Sequence, residues 1–260
     1  MGILKSTTLT TLPTFMSDRI VGRNSVLELL RRGNRAIERI LIAQGNNHAR
    51  LRQILSIAQK KGIHCDFAPR HELDQTEATI PHQGVIAFAS PTSYADLGTI
   101  LRQIQDGGRS ALLIMLDGIQ DARNLGAIIR TADAVNADGL IIPKHKAAGI
   151  TTAAHKTSAG SAEYVPITQV TNLVRTIELL KAAGIWVIGA DQETSTLYTQ
   201  ADLTVPICLV LGSEAEGLRR LVKEKCDLLV RLPMFGHIPS LNVSVATGIL
   251  LYEVIRQRNN

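Results

Sequence analysis

Three stretches of the 260-residue sequence hold polar side chains at spacings from which a site could be assembled. In LDGIQDARNLGAIIRTADA, 116–134, Asn124 stands where a helix would start and Arg130 follows about two turns on. Gly126, Ala127 and Ala134 flank that arginine at helical spacing, and small neighbours let a second backbone or a ligand come close to it. The plainer account makes Asn124 a helix cap and Arg130 a partner of Asp133 three residues later.

The second stretch is LGSEAEGL, 211–218. A glycine ending a buried strand sits where open α/β sheets bind ligands, because the loops at the carboxyl ends of strands form the crevice. Gly212 and Gly217 do not have the spacing of a dinucleotide fingerprint, and Glu214 is unfavourable for a pyrophosphate. The acid suits a ligand carrying a cation or ribose hydroxyls. A capping box, with Ser213 as cap and Glu216 as its partner, accounts for the same residues and starts a helix after Ser213. In the third stretch, LPMFGHIPSLNVSVATG, 232–248, an apolar loop from Met234 to Pro239 leads to Ser240 or Asn242 as cap of a last helix. That helix is apolar on nearly every side, so it is buried in the fold or in a subunit contact.

The remaining chemistry-bearing residues form no recognisable constellation. His237 is isolated, and His48, His64, His71, His82, His145 and His155 match no metal-ligand spacing, so no metal is expected. Cys65, Cys208 and Cys226 are odd in number and far apart, which fits small core residues rather than a disulfide framework. The sequence contains no P-loop, no zinc deaminase signature and no nucleophile elbow.

The elements that must position these stretches follow from periodicity. Residues 1–17 are hydroxyl-rich without sustained periodicity and are expected to be a flexible tail. Residues 18–90 form a small α/β/α unit: a helix over VLELLRR capped by Asn24 or Ser25 and ended by Gly33, the strand ERILIA, a helix over 48–61, the strand HCDFA, an acidic helical turn at 70–73 and the strand HQGVIAFA. Residues 91–108, with their Ser/Pro/Thr opening and Gly-Gly stop, are the expected linker. Residues 109–260 alternate strands and helices, and the continuous apolar strand ALLIML demands a mainly parallel sheet covered on both faces.

Charge is concentrated at the front. From Asp18 to Gly62 there are ten Lys or Arg against three acids, although the whole chain carries only +5. Such a face fits a polyanion. No apolar run approaches the roughly 20 residues of a membrane span, which predicts a cytoplasmic protein with no membrane partner.

In this order, the three stretches resemble the three motifs of the SpoU (TrmH) family of SPOUT methyltransferases. The resemblance spans 112–257, with SLNVSVATGILLYEVIRQR its most specific part, and the first unit is similar to the ribosomal-protein-like RNA-binding domain of one branch. It implies S-adenosylmethionine as methyl donor, transfer to a ribose 2′-hydroxyl of a 23S rRNA guanosine, free or in a large-subunit assembly intermediate, a homodimer, and a trefoil knot around the cofactor. Gly212, Leu232 and Leu241 then correspond to backbone contacts with the cofactor, while Asn124, Arg130, Glu214, Ser240 and Asn242 fall on the catalytic polar positions. Ala122 stands where a proline is usual, and Pro239 where a small polar residue is common. The same chemistry on tRNA or another rRNA site, and RNA binding without turnover, are the alternatives.

Overall fold

The computed structural model describes residues 17–46 and 48–259, so the expected tail, apart from Ser17, lies outside the described residues. The front unit contains β1 (Asp18–Val21), α1 (Arg23–Arg32), β2 (Ile37–Ala43), α2 (Ala49–Lys60), β3 (His64–Ala68), α3 (Arg70–Thr76) and β4 (Val85–Ala89). Its four-stranded sheet has the order β1-β4-β2-β3, parallel only between β2 and β3. Helices α1 and α2 cover one face through Leu29, Leu30, Leu51 and Ile54, and α3 places Leu73 on the other. Alternation along β2 divides Ile40 and Ile42 from Leu41 and Ala43 accordingly. Strand β1 has no counterpart among the expected elements. The cap of α1 is Gly22 without a side-chain bond, so neither Asn24 nor Ser25 caps it; both lie inside the first turn.

Helix α4 (Leu97–Gly107), capped by Asp96 and stopped by Gly108, leads into the second unit and buries Ile100 in its core. There follow β5 (Leu112–Asp117), α5 (Ala122–Ala134), β6 (Gly139–Pro143), α6 (Thr152–Ser158), β7 (Ile167–Val170), α7 (Leu173–Ala182), β8 (Trp186–Ala190), β9 (Ile207–Gly212), α8 (Arg220–Lys225), β10 (Leu228–Val230) and α9 (Val243–Arg258). The six strands are all parallel, in the order β10-β8-β9-β5-β6-β7. Leu112, Ile114 and Leu116 face a core shared with α5 and α9, while Leu113 and Met115 face one shared with α4, α7 and α8. Burial on both faces is why these strands read as unbroken apolar runs.

Two expected helix starts are corrected. Helix α5 begins at Ala122 with Asp121 as cap, its Oδ1 accepting the Arg123 N–H at 2.7 Å; Asn124 therefore lies within the first turn. No helix follows Ser213 directly. Ser213 and Gly217 exchange backbone hydrogen bonds of 3.1 and 2.9 Å, closing a tight loop in which Ser213 Oγ accepts the Glu216 N–H, and α8 starts only at Arg220. Gly217 at φ +66° turns that loop, a conformation glycine adopts without strain.

A buried polar joint connects the two units. Arg35 donates to Asp18 at 2.7 Å and to Glu163 at 3.0 Å, and His155 Nε2 lies 2.9 Å from Thr92 Oγ1. Burial, helped by the Arg35 charge and opposed by Asp18, pulls the His155 pKa down to about 4. Burial pushes the Glu163 carboxyl up, against the pull of Arg35.

Candidate active site at the carboxyl edge of the parallel sheet

The carboxyl ends of β5, β8, β9 and β10 open on one edge, and a residue from each of the three sequence stretches meets the others there. Glu214, in the loop after β9, accepts through Oε1 from Asn124 Nδ2 at 3.1 Å, from Asn242 Nδ2 at 2.8 Å and from the Val243 N–H at 3.2 Å. Asn242 Nδ2 also reaches Asn124 Oδ1 at 2.9 Å. Asn242 is the cap of α9, its Oδ1 accepting the Ser244 N–H at 2.9 Å. One carboxylate thus ties together the start of α5, the loop after β9 and the start of α9, with partners 90 and 28 positions away in sequence.

Beside the cluster lies a cavity of about 340 Å³, lined by Gly212, Glu214, Leu232, Ser240 and Leu241 together with Asp191 and Met234. Its size falls within the roughly 300–1,000 Å³ of small-molecule sites. Gly212 is indispensable to its wall: a Cβ there would collide with the backbone of Gly217 and Leu218. Leu232, Leu218 and Val243 give it an apolar side, whereas Asp191, Glu193 and Glu214 supply carboxylates. Lys223 closes one flank, its Nζ 2.9 Å from Asp191 and 2.6 Å from Glu193, and hydrogen bonds to Glu193 and Asp191 push its pKa up. A ligand with an apolar ring, hydroxyls and positive charge fits such a lining.

Five of the eight expected residues, Gly212, Glu214, Leu232, Ser240 and Leu241, line this cavity, and Asn124 and Asn242 join it through Glu214. Arg130 does not. It lies on α5 about 9 Å along the axis from Asn124, exposed, outside both cavities at this edge and without a hydrogen bond or ion pair among the described residues. Asp133 is taken instead by Ser161 Oγ at 2.8 Å. The small residue Gly126 serves packing of α5 on α6, since a Cβ would strike the Ala154 carbonyl and Thr157. His237 sits on the exposed loop before Ser240.

Sequence reasoning missed Asp117 and Arg219. Asp117 ends β5 with its side chain fully buried, accepting the Arg219 N–H at 2.8 Å and Arg219 Nε at 2.6 Å. That pair anchors the exit of the Ser213–Gly217 loop. The signal available was an acid ending an apolar strand; its partner 102 residues away carries no local mark. Among the described residues no group of three His, Cys, Asp or Glu could hold a metal, and no helix is long and apolar enough to cross a membrane.

Comparison with known proteins bears on the chain as a whole. The profile of the SpoU rRNA methylase family matches residues 111–252, and that of the RNA 2′-O ribose methyltransferase substrate-binding domain matches residues 19–95. A Bacillus subtilis protein named for the TrmH family of tRNA/rRNA methyltransferases is 43% identical over 93% of this chain and 96% of its own. Two solved structures carry S-adenosylmethionine. The SpoU methyltransferase AviRb of Streptomyces viridochromogenes is 25% identical, with a TM-score of 0.78 over 94% of this chain and 91% of its own. An rRNA methyltransferase of Sinorhizobium meliloti is 26% identical, with a TM-score of 0.75 over 92% and 87%.

Proposed function

The chain belongs to the SpoU rRNA methylase family, and on that premise we propose that it methylates a ribose 2′-hydroxyl of a 23S rRNA guanosine, free or in a large-subunit assembly intermediate. The observation that supports the ribose-methyltransferase part of this reading is the Asn124–Glu214–Asn242 cluster placed against a glycine-walled cavity. S-adenosylmethionine, when bound, supplies an electrophilic methyl on a sulfonium. The backbone at Gly212, Leu232 and Leu241 would hold it, with Asp191 and Glu193 available to its hydroxyls.

The protein's own part is positioning and charge. A ribose hydroxyl is a poor nucleophile at neutral pH, so the site must orient it and stabilise the charge that develops as its proton leaves. Asn124 orients the ribose, Ser240 and Asn242 shape its site, and Glu214 fixes both carboxamides. Arg130 supplies electrostatic stabilisation; acting as a base would need a neutral guanidinium, and arginine side chains stay protonated in proteins.

Arg130 lines neither cavity of its own chain, and a second copy would bring it to a site. Beside it, α9 leaves Val245, Ile249 and Tyr252 exposed, and the preceding loop leaves Phe235 at 96% and Ile238 at 72% exposed. An apolar surface of this kind marks an association site, and a homodimer through it sets Arg130 of one copy against the cluster of the other. The same reading includes a trefoil knot around the cofactor; Gln257 and Arg258 hold the far end of α9 against the segment before β9.

The basic front unit positions the RNA through its phosphates. Transfer of radiolabelled methyl from S-adenosylmethionine to deproteinised rRNA tests the reading: alkali-resistant dinucleotides carrying the label are expected, and label in bases, or none, would overturn it.

A further inference from the structure

A second cavity, of about 510 Å³, lies across the Ser213–Gly217 loop from the first and shares Ser213, Glu214 and Val243 with it. Strand order sets its walls. Because β5 lies between β9 and β6, the turn after β5 (117–121) is the floor, the loop after β9 is one wall and the exit of β6 is the other. The β6 exit continues from Pro143 into Lys144, His145 and Lys146, all exposed, and the last two line the cavity. None of these three side chains makes a hydrogen bond or ion pair among the described residues. Lys146 is held at φ +57°, a backbone conformation few residues other than glycine adopt.

Arg219 enters from the other side. Its Nε is spent on Asp117, but its two terminal nitrogens have no partner among the described residues. Of the acids of the cavity, Asp117 is neutralised by Arg219, while Glu214 and Asp121 keep their charge but aim bonded oxygens at carboxamide or backbone N–H donors on the α5, α9 and β9-loop side. Glu216 is left, on the wall opposite Lys146. The charge on the β6 wall is Lys146, set across the floor from these acids, in a cavity whose inner edge is the Asn124–Glu214 pair.

Resting on the reading of the chain as a ribose methyltransferase, we propose that Lys146, His145 and the outer guanidinium of Arg219 grip the phosphate of the target nucleotide. A 3′-phosphate is attached next to the 2′-oxygen on the same ribose, so an anchor on it fixes where the hydroxyl points. The cavity across the loop from the methyl donor is then the target-nucleotide pocket, and these three side chains are positioning residues.

The variants Lys146→Gln and His145→Ala/Lys146→Gln alter only unpartnered, exposed side chains. Arg219→Ala would strip buried Asp117 of its partner and is a poorer test. Methyl transfer to deproteinised rRNA is measured across a KCl series, and binding of guanosine 3′-monophosphate by saturation-transfer NMR. For the double variant KM should rise roughly 5–20-fold and kcat should fall with it as the hydroxyl loses its orientation, and the slope of log KM against log salt should fall by about 0.7 for each phosphate no longer gripped. The nucleotide signal should vanish, with affinity for S-adenosylhomocysteine retained. Unchanged KM and salt slope with an unchanged nucleotide signal would overturn the proposal while leaving the methyltransferase reading intact. Should the wild type transfer no methyl, that reading fails and the nucleotide signal alone decides the pocket.

Discussion

Asn242 Nδ2 lies 2.8 Å from Glu214 Oε1, so the residue that caps the last helix is also held by the loop after β9. The start of α9 and the site thus share one side chain. Asn242→Ala should cost about 1 kcal/mol as a lost cap, lowering Tm by roughly 2–4 °C for a chain of this size, and should reduce methyl transfer far more than that loss of stability explains. Calorimetry and initial rates on the same preparation separate the two effects.

Glu214→Ala leaves two carboxamides and the Val243 N–H without their common acceptor. We expect kcat to fall about 100-fold or more, the scale of losing one oriented polar group from an active site. Glu214→Gln keeps an acceptor of the same shape and should retain activity within about tenfold, since hydrogen bonding to the carboxamides does not require the charge. Equal losses in both variants would show that the negative charge itself is needed.

Arg130→Ala should abolish transfer and leave affinity for S-adenosylmethionine nearly intact, because Arg130 lines neither cavity of its own chain. Mixing Arg130→Ala with Glu214→Ala protein should recover about a quarter of wild-type activity in a homodimer whose sites combine both copies. No recovery would assign Arg130 to its own chain.

Gly212→Ala should fail to bind S-adenosylmethionine in a calorimetric titration, since the added methyl meets Gly217 and Leu218 backbone rather than a movable side chain. Retained affinity would mean that the loop can yield, and that Gly212 is not part of the cofactor wall.

The joint between the units should weaken in acid. His155 is held neutral, with its pKa down at about 4 against an ordinary value near 6.5. Its contribution is fully present above pH 6.5 and is lost as pH falls towards 4, because the unfolded chain takes up a proton that the folded one refuses. The full difference is on the order of 3 kcal/mol. Asp18, Arg35, Glu163 and Thr92 surround the ring, and the raised Glu163 carboxyl works in the opposite direction, so the net loss is expected to be smaller. Denaturant midpoints of wild type and His155→Gln between pH 7 and 4.5 check this: the variant should show the flatter profile.

Much of the fold was legible because burial on both faces leaves strands such as 112–117 and 207–212 as plain apolar runs, and helices between them keep their period. The all-round apolar character of α9 likewise announced a helix with little wet surface, although its face at Val245, Ile249 and Tyr252 is open in the single chain. The errors arose where two local solutions were equally good. Asp121 and Asn124 are both competent caps, and only the pull of Glu214 and Asn242 on the Asn124 carboxamide accompanies the choice of Asp121. Ser213 with Glu216 reads as a capping box, but Gly217 lets the chain turn back and close the loop first. Asp117 with Arg219 and Arg35 with Glu163 were invisible because pairings across 102 and 128 residues leave no period or spacing in the sequence.

The central claim is tested most directly by mapping 2′-O-methyl groups in rRNA from cells with and without this protein, using the resistance of a methylated ribose to alkaline cleavage. One guanosine of 23S rRNA should be protected in the first and cleaved in the second. Identical rRNA maps, with the difference found in tRNA or nowhere, would contradict it.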